Sequence, residues 1–205
     1  MTLKIYGVVR SRAIRAIWVA EELGVPYELV RVDWADKSTR SPEFLAVNPN
    51  GHIPAIDDDG VVLWESMAIN LYLARKHPGL WPSDTIGEGK AFQWSFWAVT
   101  EVEGLVNQYL YNTILLPEAE RNPQAAVAAR AALVAPLAVL ADAVTATPFL
   151  AGNQFTIADL NVAQVFIGAY TLNADIGLPE ALRGWLEQVF ARPAAQRIIA
   201  MRKAS

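Results

Sequence analysis

A serine and an arginine stand near the point where the first predicted strand gives way to a helix. Ser11 and Arg15 both follow the apolar run Leu3 to Gly7. Ser11 directly precedes the segment Arg12 to Leu23, whose apolar residues have helical spacing, and Arg15 lies within it. The first N–H groups of a helix have no partner within it, and the positive end of its dipole lies there. A hydroxyl donor in this place could help to hold a bound anion. Ser11 could equally cap the helix, and a hydroxyl can do both.

A second candidate site follows a proline that begins a predicted strand. The string Asn48-Pro49-Asn50-Gly51-His52-Ile53-Pro54 leads into an apolar run. Proline lacks the N–H of a strand ladder and is tolerated at strand starts. A cis Ile53-Pro54 bond would leave the backbone of residue 53 facing outward, where a bound peptide could add as an extra strand. A lone Pro54 would more often be an ordinary edge or turn proline.

Glu65 and Ser66 head another segment of helical spacing, Glu65 to His77. The unpaired N–H groups of a helix start and the Ser66 hydroxyl suit a carboxylate, and the Glu65 carboxylate could accept from an ammonium group. A helix cap without a ligand is the alternative interpretation of this pair.

The elements that must position these residues alternate between strands and helices. Strand, helix and strand in succession indicate a βαβ unit with parallel strands, and the run Asp57 to Gly60 indicates a hairpin. The predicted strands are Leu3 to Gly7, Tyr27 to Val32, Ile53 to Ile56 and Val61 to Trp64; the predicted helices are Arg12 to Leu23 and Glu65 to His77, with a helical turn around Ser41 to Val47.

The second half of the chain is predicted to be all-helical. Segments rich in alanine, leucine and aromatic residues at helical spacing are Glu88 to Leu115, Gln124 to Thr145, Thr156 to Asn173 and Leu178 to Arg202, the last broken by Pro193. Prolines and glycines before them indicate a linker. We predict an α/β domain over residues 1–78, a linker over 79–86 and an all-α domain over 87–205.

Composition excludes several classes of function. The chain of 205 residues is 53% hydrophobic and carries a net charge of −4 without a basic run, which argues against a nucleic-acid partner. Apolar runs such as Ala131 to Val144, interrupted by Pro136, fall short of the roughly 20 residues of a membrane span. The start, Met1 to Tyr6, lacks the layout of a signal peptide, so we expect a cytoplasmic protein.

The absence of cysteine excludes disulfides and every mechanism that uses a protein thiol. Three adjacent carboxylates, Asp57 to Asp59, would point in different directions from a hairpin turn, and no further ligands follow at calcium-loop spacing. We therefore expect no bound metal.

The Asn-Pro-x-Gly-x-Ile-Pro string, set between βαβ and ββα units and followed by Glu65-Ser66, resembles the N-terminal domain of the glutathione transferase superfamily. The linker and the helical second half extend the resemblance over almost the whole chain. It implies a thioredoxin-like fold with a cis Pro54, glutathione as co-substrate, and transfer of its thiolate to a hydrophobic electrophile, as in detoxification. It also implies a homodimer with active sites near the subunit interface.

The resemblance assigns roles in glutathione binding. The backbone of Ile53 would pair with the cysteinyl unit, and His52 would lie near the glycyl end, although a loop histidine is often simply solvated. Glu65 and Ser66 would receive the γ-glutamyl end. Arg12 would contribute to the same anionic ligand.

Thiol activation has two candidate donors. Ser11 with Arg15 resembles the serine-type classes, theta and zeta among them, in which the serine hydroxyl donates to the sulfur. Tyr6 is the alternative, because the tyrosine-type classes carry a catalytic phenol at the end of the first strand. We prefer Ser11, because it gains the dipole of the helix it heads. Arg10 departs from the pattern and receives no role.

The electrophile would be held by the second domain, and aromatic residues at helical spacing are its candidate walls, although such residues are more often core. These candidates are Trp94, Trp97, Tyr109, Tyr111, Phe166 and Tyr170. Without a cysteine, the branches that use a protein thiol are excluded, while conjugation, isomerisation, dehalogenation and peroxide reduction stay open. A non-catalytic module for dimerisation or protein binding is the alternative function.

Thr156 and Asp159 form a predicted capping box at the start of a helix, with Phe155 and Leu160 as a hydrophobic staple. Their predicted role is structural.

Overall fold

The computed structural model describes residues 2–205. Met1, which belongs to the segment considered above for a signal peptide, lies outside the described residues. The chain divides into two compact units, one formed by the residues up to Trp81 together with Arg192–Ser205, the other by Pro82–Ala191. The last helix thus groups with the first unit, although the sequence suggested the second.

The first unit is built on a four-stranded sheet in the order β2-β1-β3-β4. β1 pairs in parallel with β2 and antiparallel with β3, and β3 pairs antiparallel with β4, as the βαβ and hairpin patterns predict. The strands are β1 Leu3–Gly7, β2 Tyr27–Arg31, β3 Ala55–Asp58 and β4 Val61–Trp64. The helices are α1 Ala13–Leu23, a 3₁₀ turn Ser38–Arg40, α2 Pro42–Val47, α3 Ser66–Lys76 and α9 Pro193–Ala204. This is the thioredoxin-like arrangement predicted from the sequence.

Strand β3 begins two residues later than predicted. Its ladder with β4 starts at Ala55, which pairs with Trp64, because Pro54 has no N–H to contribute. Asp59 and Gly60 both have positive φ, 54° and 87°, as a tight two-residue hairpin requires.

Helix α9 is held to α1 by ion pairs. Arg192 Nε donates to Glu22 Oε1 at 2.7 Å, and Arg197 Nε donates to Glu21 Oε2 at 2.6 Å. These partners lie far apart in sequence, so helical periodicity alone could not reveal that α9 completes the first unit.

The second unit is helical, as predicted. Its helices are α4 Thr85–Trp97, a π-helical turn Ala98–Val102, α5 Glu103–Leu110, a π-helical turn Tyr111–Leu115, a 3₁₀ turn Glu118–Glu120, α6 Pro123–Ala146, α7 Ile157–Thr171 and α8 Glu180–Phe190. Helix α4 starts inside the predicted linker, because the Asp84 side chain caps it by accepting from the Gly87 N–H at 2.7 Å.

Helix α6 extends one residue beyond the predicted segment, Gln124 to Thr145, at each end, and Pro136 lies inside it. Among residues 2–205 it is the helix whose length of 24 residues and composition would allow it to cross a membrane. Leu133, Leu137 and Leu140 on one of its faces are fully or almost fully buried. The helix therefore supplies part of the core of the second unit.

The capping box at the start of α7 is confirmed. The Thr156 hydroxyl accepts from the Ala158 N–H at 3.2 Å, and Asp159 Oδ2 accepts from the Thr156 N–H at 2.9 Å. Asp159 Oδ1 also accepts from the Leu150 N–H at 2.7 Å, a bond that the sequence pattern did not reveal. The box therefore ties the preceding loop to the helix.

Candidate functional site

Ser11 lies in a tight turn between β1 and α1. Its N–H donates to the Val8 carbonyl at 3.0 Å, its hydroxyl donates to the same carbonyl at 2.6 Å, and its Oγ accepts from the Ala13 N–H at 3.0 Å. The hydroxyl thus binds the first turn of α1, although the helix begins at Ala13, one residue later than predicted. Because a hydroxyl has one proton, a sulfur that accepts from Ser11 must replace the Val8 carbonyl as acceptor.

The end of β1 brings Ser11 close to Ile53. A Cβ built on Gly7 would lie 3.5 Å from Ser11 Oγ, 3.5 Å from Ile53 Cβ and only 2.5 Å from Ala13 Cβ. Gly7 has φ +148°, which side chains rarely adopt. The absence of a side chain at Gly7 allows the serine turn and the Ile53 loop to meet.

Replacement of Gly7 by alanine is therefore expected to lower the free energy of unfolding by about 1–3 kcal/mol through the clash with Ala13 and the strained φ. Urea denaturation of the two proteins measures this. Gly89→Ala in α4 is the matched control, because nothing lies within 4 Å of a Cβ there and helical alanine is preferred over glycine. A Gly7→Ala protein as stable as wild type would contradict this packing.

The loop before β3 is held from inside by Asn48, which is 2% exposed. Its Nδ2 donates to the His52 carbonyl at 2.6 Å, and its Oδ1 accepts from the Asn50 N–H at 3.1 Å. The Ile53-Pro54 peptide bond is cis, and the His52 side chain is exposed. Asn48 begins the string singled out in the sequence, but sequence reasoning gave its side chain no role, although an asparagine that bonds two residues onward is a known turn signal.

Tyr6 and Ile53 pack against the same apolar cluster. Both contact a cluster of Val32, Phe44 and Ala55, and the Tyr6 ring lies 6.1 Å from the Phe44 ring, centroid to centroid. Tyr6, the alternative thiol donor, is thus half-buried, and its ring packs against apolar side chains.

Glu65 and Ser66 stand where α3 begins. Glu65 has φ 73° and ψ 112°, and its exposed side chain does not cap the helix. Ser66 and Arg15 are each 6% exposed, and Arg15 Nη1 donates to Ser66 Oγ at 3.2 Å. Among residues 2–205 the Ser66 hydroxyl has no acceptor for its own proton. A helix N-terminus, a hydroxyl and a buried cation therefore converge in a place suited to a carboxylate.

The other arginines near the turn differ in their surroundings. Arg10 forms an ion pair with Asp33, and its guanidinium lies 5.5 Å from the centroid of the Trp34 ring. Arg12 is exposed at the start of α1. The structure thus gives a partner to Arg10, the residue that the sequence could not place.

Among the aromatic candidates of the second unit, two form a ring pair and two line a cavity. The rings of Trp94, which is buried, and Trp97 meet edge to face at 5.0 Å. Phe166, buried, and Tyr170, 42% exposed, line a cavity of about 350 Å³ beside α8. Of the remaining two, Tyr109 is half-buried and Tyr111 is exposed.

Two of the three carboxylates of the β3–β4 hairpin have separate contacts. Asp57 accepts from the Gly60 N–H at 2.8 Å, and Asp58 accepts from Tyr72 at 2.8 Å and from Lys76. Lys76 and Tyr72 together hold the pKa of Asp58 below its usual value despite its burial. Within residues 2–205 no group of three or more histidine or acidic side chains could hold a metal ion.

Comparison with known proteins covers nearly the whole chain. The family described as Glutathione S-transferase, N-terminal domain, matches residues 1–75, and that described as Glutathione S-transferase, C-terminal domain, matches residues 106–193. Glutathione S-transferase 3 of Zea mays is 31% identical over 97% of this chain and 93% of its own length. Glutathione S-transferase GstB of Escherichia coli K12 is 28% identical over 90% and 91%.

Solved structures are similar in fold. A theta class glutathione S-transferase from Xanthomonas axonopodis pv. citri, with glutathione bound, has a TM-score of 0.88 at 31% identity and 97% coverage of both chains. Maize glutathione S-transferase I in complex with an atrazine glutathione conjugate has a TM-score of 0.89 at 26% identity and full coverage of both chains.

Proposed function

The chain belongs to the glutathione S-transferase family, and from that premise we propose that it binds glutathione at the first unit, with Ser11 as the hydrogen-bond donor that stabilises the thiolate. The thiol proton is released to solvent, because a hydroxyl that donates to sulfur lowers the thiol pKa without accepting the proton. The thiolate then attacks an electrophilic small molecule: a carbon–sulfur bond forms, and a leaving group departs or a double bond accepts the electron pair. The observation that carries this proposal is the convergence of Ser11 and Ile53 at the end of β1.

The γ-glutamyl carboxylate is assigned to the start of α3. The Ser66 hydroxyl can donate to it while its oxygen accepts from Arg15, so the arginine orients the serine rather than competing for it. The uncapped N-terminus of α3 supplies further donors and a favourable dipole. Glu65 is exposed and can accept from the ligand ammonium group, and Arg12 adds positive charge at the start of α1.

The cysteinyl unit is assigned to the backbone of Ile53, which stands before the cis bond to Pro54 at the start of β3. Exposed His52 is assigned to the glycyl carboxylate. With both ends of glutathione held, its sulfur can reach the Ser11 turn, because Ser11 and Ile53 approach the same point above Gly7.

Ser11 is favoured over Tyr6 as the thiol donor for a geometric reason. The Ser11 hydroxyl lies at the start of α1, where the helix dipole stabilises an anion, and it already bonds the Ala13 N–H. The Tyr6 ring instead packs against Phe44 as part of an apolar cluster. The aromatic side chains of the second unit, including Trp94 and Tyr170, are assigned to the electrophile.

Calorimetric titration with glutathione and a chlorodinitrobenzene conjugation assay test the proposed function. We expect glutathione binding and conjugation by the wild type, and about tenfold weaker binding by Ser66→Ala through the loss of a hydrogen bond to a charged group. Ser83→Ala, at an exposed serine near the start of the second unit, is the matched control. A wild-type protein that binds no glutathione would overturn the proposal.

We also propose a homodimer. In the first unit the edge strand β4 exposes Val61, Val62 and Trp64 by 40–45% each. In the second unit α4 exposes Ile86 and Phe96 by 76% and 60%. An exposed edge strand is a template for pairing with another chain, and exposed apolar patches mark interaction surfaces.

Replacement of Val62 by aspartate is expected to shift the protein from dimer to monomer in sedimentation equilibrium, since it places a charge in the proposed interface. Val127→Asp, on an exposed face of α6, should leave the mass unchanged. A wild-type protein that sediments as a monomer would contradict the dimer.

A further inference from the structure

Arg10 and Asp33 follow the ends of two neighbouring parallel strands. β1 and β2 pair in register so that Gly7 lies opposite Arg31, and the Val32 N–H donates to the Gly7 carbonyl at 3.4 Å. The segments that follow parallel strands leave a sheet at the same edge. The turn that carries Ser11 therefore emerges beside the segment that carries Asp33.

Asp33 is a fully buried carboxylate, with 0% of its surface exposed. Its Oδ2 accepts from Arg10 Nη2 at 2.5 Å and from Arg31 Nη2 at 3.0 Å, and its Oδ1 accepts from the Ala35 N–H at 3.1 Å. A buried charge is tolerated only when it is paired and hydrogen-bonded. Both arginines therefore have a defined place beside Asp33.

Arg10 lies inside the turn that orients Ser11. The turn runs from Val8 to Ser11, and the Val8 carbonyl accepts from both the N–H and the hydroxyl of Ser11. The Arg10 side chain leaves this turn to reach Asp33 and lies over the Trp34 ring, where a cation is attracted. The Arg10 side chain thus attaches this turn to the segment after β2.

We propose that Arg10 is a positioning residue for conjugation: its pair with Asp33 holds the Val8–Ser11 turn so that the Ser11 hydroxyl points to the sulfur of glutathione. This rests on the proposed role of Ser11. The role assigned to Arg10 is to hold the turn and not to contact the reacting atoms, since its guanidinium pairs with a buried carboxylate. A small displacement of a reacting group can lower the rate substantially, which gives the tether its effect.

Arg31 supplies a matched control. It bonds the same oxygen of Asp33 and also Asp36, but it belongs to β2 and not to the Ser11 turn. Arg10→Gln and Arg31→Gln each remove one cation from Asp33, so a general effect of a less neutralised carboxylate should appear in both. An effect that runs through Ser11 should appear only in Arg10→Gln.

The test compares wild type, Arg10→Gln, Arg31→Gln, Arg10→Lys and Ser11→Ala in conjugation kinetics and in the pH titration of the bound thiol. We expect Arg10→Gln to lower kcat on the order of tenfold and to raise the thiol pKa, with the KM for glutathione within about twofold. Arg31→Gln should stay within about twofold of wild type. Arg10→Lys, which can keep the ion pair, should recover part of the loss.

Equal effects of Arg10→Gln and Arg31→Gln on kcat and thiol pKa would overturn this inference, while a raised thiol pKa in Ser11→Ala would leave the proposed function intact. If Ser11→Ala leaves the thiol pKa unchanged, the Ser11 assignment fails and the inference with it. If Arg10→Gln folds poorly, the double variant Arg10→Gln/Asp33→Asn is used instead. It removes the buried Asp33 charge that Arg10→Gln leaves with only one arginine partner. It must reproduce the kinetic loss, and wild-type kcat in this double variant would count against the tether.

Discussion

Replacement of Ser11 by alanine is expected to lower kcat/KM for glutathione conjugation by a factor on the order of 10² to 10³, the usual loss when one donor to a reacting anion is removed. The alanine protein retains the α1 dipole and the site at α3, so glutathione should still bind. Its thiol, however, loses the donor that holds the thiolate. The loss should therefore fall mainly on kcat at neutral pH and shrink as the pH rises towards the pKa of free thiols, about 8.5.

Steady-state kinetics with glutathione and chlorodinitrobenzene measure this effect, and Tyr6→Phe is the control. The phenylalanine ring keeps the packing of Tyr6 against Phe44, so we expect its kcat/KM to stay within about threefold of wild type. Ser11→Ala also removes the bond to the Ala13 N–H, which should cost about 1 kcal/mol of stability. Assays should therefore run well below the unfolding temperature. A large loss in Tyr6→Phe with near-normal Ser11→Ala would reverse the assignment.

The second large effect is on stability: replacement of Asp159 by alanine is expected to lower the free energy of unfolding by about 3 kcal/mol or more at pH 7. The Asp159 carboxylate is fully buried and accepts from the Leu150 N–H and from the N–H of Thr156. Alanine would leave these two buried donors unsatisfied, at about 1–3 kcal/mol each. Asp142→Ala, an exposed carboxylate on α6, should change stability by no more than about 0.5 kcal/mol.

The stability loss at Asp159 should also depend on pH. Burial raises the pKa of Asp159 to about 6, although its hydrogen bonds oppose the shift. The folded protein thus holds the proton more tightly than the unfolded chain. This tighter proton binding stabilises the folded state. The stabilisation is fully present below the pKa of an unfolded aspartate, about 3.9, and is lost as the pH rises through about 6. Urea denaturation should therefore show the gap between wild type and Asp159→Ala widening by about 1 kcal/mol from pH 7 to pH 5. A gap that is constant or narrows on acidification would contradict this assignment.

The sequence predicted those features that local chemistry determines. The alternation of strand and helix follows from apolar spacing, and the capping box follows from Thr156 and Asp159, three residues apart. The family resemblance then supplied the site around Ile53 and Ser66. The late start of β3 could have been inferred more closely, because Pro54 cannot pair in the ladder that begins at Ala55.

The features that escaped prediction depend on partners distant in sequence. The contact of Arg10 with Asp33 depends on the parallel pairing of β1 and β2, which lie apart in sequence. Arg15 points from α1 to Ser66 at the start of α3, a contact that no spacing pattern encodes. Helix α9 joins the first unit through Arg192 and Glu22 in the same way. Such contacts depend on tertiary packing, which periodicity within one element does not describe.

The central claim is that Ser11 stabilises the thiolate of bound glutathione, and titration of thiolate absorbance in the binary complex tests it most directly. Saturating glutathione should give a bound thiol pKa well below the free value of about 8.5 in wild type, and a pKa at least one unit higher in Ser11→Ala. Tyr6→Phe should titrate like wild type. The same bound thiol pKa in wild type and Ser11→Ala would contradict the claim.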